Sequence, residues 1–138
     1  MSTERCLLGS LVGGVVLFFL GYALYGILLA GFFEVNAGSA TGLTREPFDF
    51  VSLGIAQFAW GGLLTTLINW KGAWTPVDAA KTGATVGALA FLGFDLTLYA
   101  TTNTSNLIGA LGDVVVATIL FGITAAVISM VVGKKAAA

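Results

Sequence analysis

Histidine is missing from this 138-residue sequence, cysteine occurs once, at Cys6, and proline twice, at Pro47 and Pro76. A single thiol closes no internal disulfide, and without imidazole the usual thiolate and imidazole metal sites and the usual general base are excluded. Charge is scarce too: six Lys and Arg stand against seven Asp and Glu, a net charge of −1, and charged residues make up 9% of the chain. With no basic cluster to meet a phosphate backbone, nucleic acid is excluded as a partner. Serine-hydrolase, zinc-hydrolase and P-loop signatures are absent, and no metal or other cofactor is expected.

What fills the chain instead is apolar: 57% of residues, with a mean hydropathy of +0.97. Such a composition leaves no polar face for a soluble domain, and at about 20 residues per span the length suits one membrane domain of four helices. The expected fold is therefore an all-α four-transmembrane-helix bundle over residues 1–138, with spans at 6–33, 48–69, 76–100 and 106–133. Cys6 to Phe33 is an unbroken apolar run, longer than the h-region of a signal peptide, and is read as a span despite the cleavage-like Ala37-Gly38-Ser39-Ala40 behind it. Gly9 and Gly13 have the spacing of a helix-packing motif, expected to serve within the bundle. Glu34 to Asp49 has loop chemistry, and Trp70, Lys71 and Trp74 suit headgroup level. Thr75 and Pro76 read as an N-cap and first helical residue, and Ser105 or Asn106 can cap the last span.

Arg5, Lys71, Lys81, Lys134 and Lys135 fall on one side of this four-span arrangement and only Arg45 on the other. By the positive-inside rule both termini are expected to be cytoplasmic, in a bacterial inner membrane. Phe19-Leu20-Gly21-Tyr22-Ala23-Leu24 also matches Phe91-Leu92-Gly93-Phe94-Asp95-Leu96 at an offset of 72 residues. This suggests a parallel repeat of two helical hairpins, with chance similarity as the competing reading.

The chemistry concentrates in two acids. Asp95 lies six residues before the turn Thr101-Thr102-Asn103-Thr104-Ser105 and Asp113 seven after Asn106, so both sit about 9 to 10 Å below that turn. A charged residue inside a span costs about 2.5 to 3.5 kcal/mol at the centre on insertion scales, so neither acid is expected to face lipid. No Lys or Arg lies at that depth, which leaves hydrogen bonds, each other, a proton or a cation as partners. Two neighbouring carboxylates in low dielectric do not both ionise readily and titrate as a unit. Gln57, Tyr22, Tyr25 and Tyr99 reach similar depths, and together with Asp95 and Asp113 form the expected binding residues of an outward-facing polar cup. No residue is expected to be catalytic. The competing reading makes the acids purely structural, fixing helix order through hydrogen bonds.

Phe94-Asp95 and Ala110-Leu111-Gly112-Asp113 resemble the Tyr-Asp and Gly-x-Gly-Asp motifs of intramembrane aspartyl proteases, in the same order. Phe94 stands where that family has Tyr, Ala110 where it has the first Gly, and no Pro-Ala-Leu motif occurs, so an intramembrane aspartyl-type hydrolase is only a remote alternative. Over nearly its whole length the chain resembles a family of small four-span bacterial integral membrane proteins of unknown function. The residues that carry this are Gly21-Tyr22-Ala23-Leu24-Tyr25-Gly26, Phe94 to Asn103, and Gly109 to Val116 with Asp113 inside. The resemblance implies a fold and no activity. The expected function is that of a non-enzymatic membrane protein whose acidic cup binds or passes a proton, cation or small polar ligand. The alternative is an accessory or assembly subunit. Expected partners are membrane lipid and either further copies of the chain or a larger membrane complex.

Overall fold

Helices begin where the sequence supplies an acceptor for otherwise unpaired backbone N–H groups. The computed structural model describes the backbone of residues 1–136 and the side chains of residues 1–133. The Lys134 and Lys135 side chains, part of the charge count that sets the expected orientation, lie outside the described residues. Helix α1 (Thr3–Gly21) starts at Ser2, whose hydroxyl accepts from the Arg5 N–H at 3.3 Å. It continues as a π-helical segment, Tyr22–Leu28, and a short helix α2 (Ala30–Val35). Asp49 caps α3 (Phe50–Lys71), accepting from the Ser52 N–H at 3.1 Å and the Ser52 hydroxyl at 2.6 Å. These bonds, the hydroxyl's first, hold the exposed Asp49 carboxyl below its ordinary range. Thr75 caps α4 (Pro76–Thr101) by accepting from the Asp78 N–H at 3.2 Å. Of the two residues able to cap α5 (Leu107–Ala136), Asn106 takes the role, its Oδ1 accepting from the Gly109 N–H at 2.8 Å.

The first span is not one unbroken α-helix over 6–33. The Leu29 N–H reaches back five residues to the Leu24 carbonyl at 2.8 Å, and at Leu29 (φ −114°, ψ 9°) the helix breaks. Gly26 makes room for the wider turn, since a Cβ there would lie 3.1 Å from the Tyr22 ring. A π turn holds roughly one residue more than an α turn and so rotates the downstream side chains by about 100°. Hydropathy does not register this, because apolar residues fill the run on every side.

Four segments are long and apolar enough to cross a membrane: Thr3–Leu28, Phe50–Lys71, Pro76–Thr101 and Leu107–Gly133. Their packing is that of a multi-pass membrane protein, with small residues inside and large apolar ones outside. On α1, Gly9, Ser10, Gly13 and Gly14 are buried while Leu7, Leu11, Val15 and Phe19 point outward. Gly13 lies so close to α3 that a Cβ on it would be 2.7 Å from the Gly61 Cα, and thus the glycine pair packs within the chain. Helix α4 packs most extensively on α5, where a Cβ on Gly87 would come 2.5 Å from the Ala117 carbonyl oxygen. Helix α1 also meets α5, joining the pairs α1/α3 and α4/α5 through a core that includes Leu17, Leu64, Ile68, Phe121 and Ile128. Helices α3 and α4 touch little.

At the turn end, the segment after α2 lies over the α4–α5 connection. The Gly38 N–H donates to the Thr104 carbonyl, the Ala40 N–H to Asn103 and the Asn106 N–H to Asn36, each at 3.0 Å. Asn106 also donates from Nδ2 to the Asn36 Oδ1 at 3.0 Å. The end of the first span is thereby fixed to the start of α5. At the opposite end, the Arg5 guanidinium sits 4.8 Å from the Trp74 ring centroid, and the Lys71 ammonium donates to the Thr82 hydroxyl at 3.2 Å.

Candidate functional site

Asp113 lies on the second turn of α5, six residues past Leu107 and so about 9 Å below the turn end. Tyr25, in the π-helical segment, donates its phenolic O–H to the Asp113 Oδ1. That bond joins residues 88 positions apart. Two local features set it up: the π turn re-aims the residues beyond Gly21, and the Asn36–Asn106 contacts fix the segment's far end against α5.

Asp95, on α4, is 8% exposed, and its Oδ2 has no hydrogen-bond partner among the described residues. It lies close enough to Asp113 and Tyr25 for the three groups to interact electrostatically. Asp95 and Asp113 lie on α4 and α5, the two helices that pack most extensively on each other. The glycines that let α4 approach α5, Gly83 and Gly87, are on the Asp95 side of the helix and are buried with it.

In front of Asp113 lies a cavity of about 570 Å³, open to the surroundings and bordered by α1, the π segment, α3, α5 and, through Phe91, α4. Its floor is an aromatic cluster: Trp60 meets Phe121 edge-on at 5.2 Å between ring centroids, Phe91 meets Phe121 at 5.5 Å, and Trp60 and Phe91 are 6.1 Å apart. Phe48 and Phe50, where the long loop enters α3, border it nearer the turn end, their rings 6.0 Å apart and edge-on. Polar groups enter from Tyr22, Tyr25, Gln57 and Asp113, and Asp113 is the one charged residue in the lining.

The expected site residues therefore separate. Tyr25 and Asp113 form a part-buried bonded pair, Asp95 is buried on the neighbouring helix, Gln57 and Tyr22 share the Asp113 cavity without bonding to the acids, and Tyr99 stands apart. Tyr22 is 64% exposed, and Tyr99 is 43% exposed and lies outside the cavity lining. Gln57 is half-buried, and its side-chain amide has no hydrogen bond among the described residues. The expected cup is polar and shared by both acids, whereas the cavity is walled largely by aromatic rings and only Asp113 of the two acids lines it. Phe91, Phe121, Phe48 and Phe50 do not stand out in the sequence, where ten phenylalanines give no means of telling a cavity floor from a lipid face. Trp60 alone carries a signal: it falls mid-span, away from the interfacial level that tryptophan favours.

Comparison with protein-family models, curated proteins and solved structures found no match. The chemistry must then be read from the side chains. Asp113 offers a carboxylate with one oxygen already bonded by a phenol, and Asp95, outside the cavity lining, adds a buried oxygen without a partner among the described residues. No group of three or more metal-ligating side chains occurs among the described residues. Two acids and a phenol can hold a proton, or balance one monovalent cation that brings or finds its other ligands.

Proposed function

We propose that this protein is a non-enzymatic multi-pass membrane protein that binds a proton or cation at the Asp113, Asp95 and Tyr25 group. The observation that carries this reading is the burial of Asp95 beside the phenol-bonded Asp113 with no basic side chain in that half of any span. An unbalanced acid within a membrane is costly, and intramembrane carboxyls are most often paired, protonated or engaged with an ion. The charge distribution supports cytoplasmic termini, in an inner membrane, with the acids in the outer half. Binding or passage from the outer side through the aromatic cavity is the consequence of that orientation.

A second reading has its own support: the bond from Tyr25 to Asp113 ties the first span to α5, as a purely structural link in an accessory or assembly subunit would. Asn and Leu replacements separate the two. Asp113→Asn and Asp95→Asn keep shape and hydrogen-bonding capacity but remove charge. For a binding site, detergent-solubilised wild type changes its thermal stability with pH and cation across the neutral range while both Asn variants do not. For a structural link, wild type and Asn variants behave alike and only Leu loosens the bundle.

A further inference from the structure

We propose that the cavity in front of Asp113 receives an organic cation carrying an apolar group, with its ammonium centre between the Asp113 carboxyl and the aromatic floor. This deepens the proton- or cation-binding reading and rests on it. Three features of the cavity point to this class. Its volume, about 570 Å³, falls in the range of small-molecule sites and far exceeds what a proton or a bare metal ion occupies. Its floor presents Trp60, Phe91 and Phe121 in mutual contact, a surface that attracts a weakly hydrated cation through ring quadrupoles and holds apolar groups by burial.

The third feature is charge. Asp113 is the one charged residue of the lining, no basic side chain opposes it, and its second oxygen remains available beyond the Tyr25 bond. An anionic ligand would meet this carboxylate unscreened, and a strongly hydrated inorganic ion would give up water to rings that return few hydrogen bonds. A substituted ammonium loses little hydration and gains both the carboxylate and the rings. The Gln57 amide, in the same lining, supplies a donor and an acceptor for one polar substituent. A lipid acyl chain is the competing occupant, and it would have no use for the carboxylate.

The test is equilibrium dialysis of benzyltriethylammonium against the full chain in nanodiscs of zwitterionic lipid, beside its neutral isostere with carbon in place of nitrogen. Saturable binding of the cation, about tenfold or more tighter than the isostere, is expected. It is also expected to be lost in Asp113→Asn and weakened in Trp60→Leu, but kept in Trp60→Phe, which preserves an aromatic face should the Leu variant fail to fold. Equal binding of cation and isostere would mean the cavity takes apolar matter only, and cation binding that survives Asp113→Asn would mean the carboxylate does not hold it; either would overturn the inference. Absence of binding by folded wild type would overturn it as well. The proton and inorganic-cation response of wild-type stability is read separately in the same nanodiscs. If that response persists without organic-cation binding, the broader reading stands and this one fails; if both are absent, both fail.

Discussion

Removing the phenol of Tyr25 probes the site at its most specific contact. Tyr25→Phe deletes the donor to the Asp113 Oδ1 and leaves the ring, with its 5.2 Å contact to Phe33, in place. Polar contacts between membrane helices average about 0.6 kcal/mol and reach about 1.7, while hydrogen bonds to charged groups in proteins are worth about 1.5 to 3. The bond is part-buried and borders an open cavity, which favours the lower scale; a carboxylate acceptor favours the higher. The expected loss is about 1 to 2 kcal/mol. Unfolding in mixed micelles with increasing SDS, followed by helicity, measures it. The same substitution in an Asp113→Leu background should be close to neutral, because the phenol there has already lost its acceptor. A coupling energy of about 1 kcal/mol or more from the full cycle is expected, and one inside the additivity scatter of about 0.3 to 0.5 kcal/mol would refute the bond's role.

Gly87→Val should force α4 from α5, at about 1 to 3 kcal/mol, because the added atoms meet the Ala117 carbonyl; Gly93→Ala on the same helix meets nothing within 4 Å and should be neutral or slightly stabilising in the same unfolding assay. Thr75→Ala should lower stability by about 1 kcal/mol and Thr75→Ser should restore it, since the hydroxyl caps α4. The Asp49 carboxyl, held below its ordinary range by Ser52, contributes stability that is present above the unfolded carboxylate range and lost as pH falls through the lowered value. Protection of the first-turn amides of α3, taken relative to their intrinsic exchange rate at each pH, should therefore fall in acid, and Asp49→Asn should remove that dependence. In a Cys6→Ser background, cysteines at Ser39 or Thr102 should react with an impermeant thiol reagent added outside intact cells and one at Lys71 should not; the reverse pattern would invert the orientation.

Depth was legible in the sequence, and direction was only partly so. Counting residues back from Thr101 and forward from Asn106 places Asp95 and Asp113 at one level, and the helix caps Thr75 and Asn106 come from local chemistry. Rotation is another matter. In a helix apolar on all sides, nothing in the hydrophobic period says which face turns inward, so Tyr25 cannot be told from Tyr22 or Tyr99 as the partner of Asp113. The π turn shifts which residues beyond Gly21 face α5, and hydropathy does not register it. The small-residue stripes are a better guide, since Gly13 meets Gly61 and Gly87 meets Ala117 at close approaches of their helices. The cavity was the least legible feature, because its aromatic floor comes from three helices and needs their relative positions.

Infrared difference spectroscopy of the protein in bilayers, recorded while pH and cation are exchanged, tests the central claim most directly because it observes the carboxyl groups themselves. Wild type should show a protonated-carboxyl band that converts to carboxylate on exchange, with the band altered in both Asp95→Asn and Asp113→Asn because the pair titrates as a unit. A spectrum that responds to neither exchange, or that responds identically in wild type and both Asn variants, would contradict a proton- or cation-binding site and leave Asp95 and Asp113 as parts of the architecture.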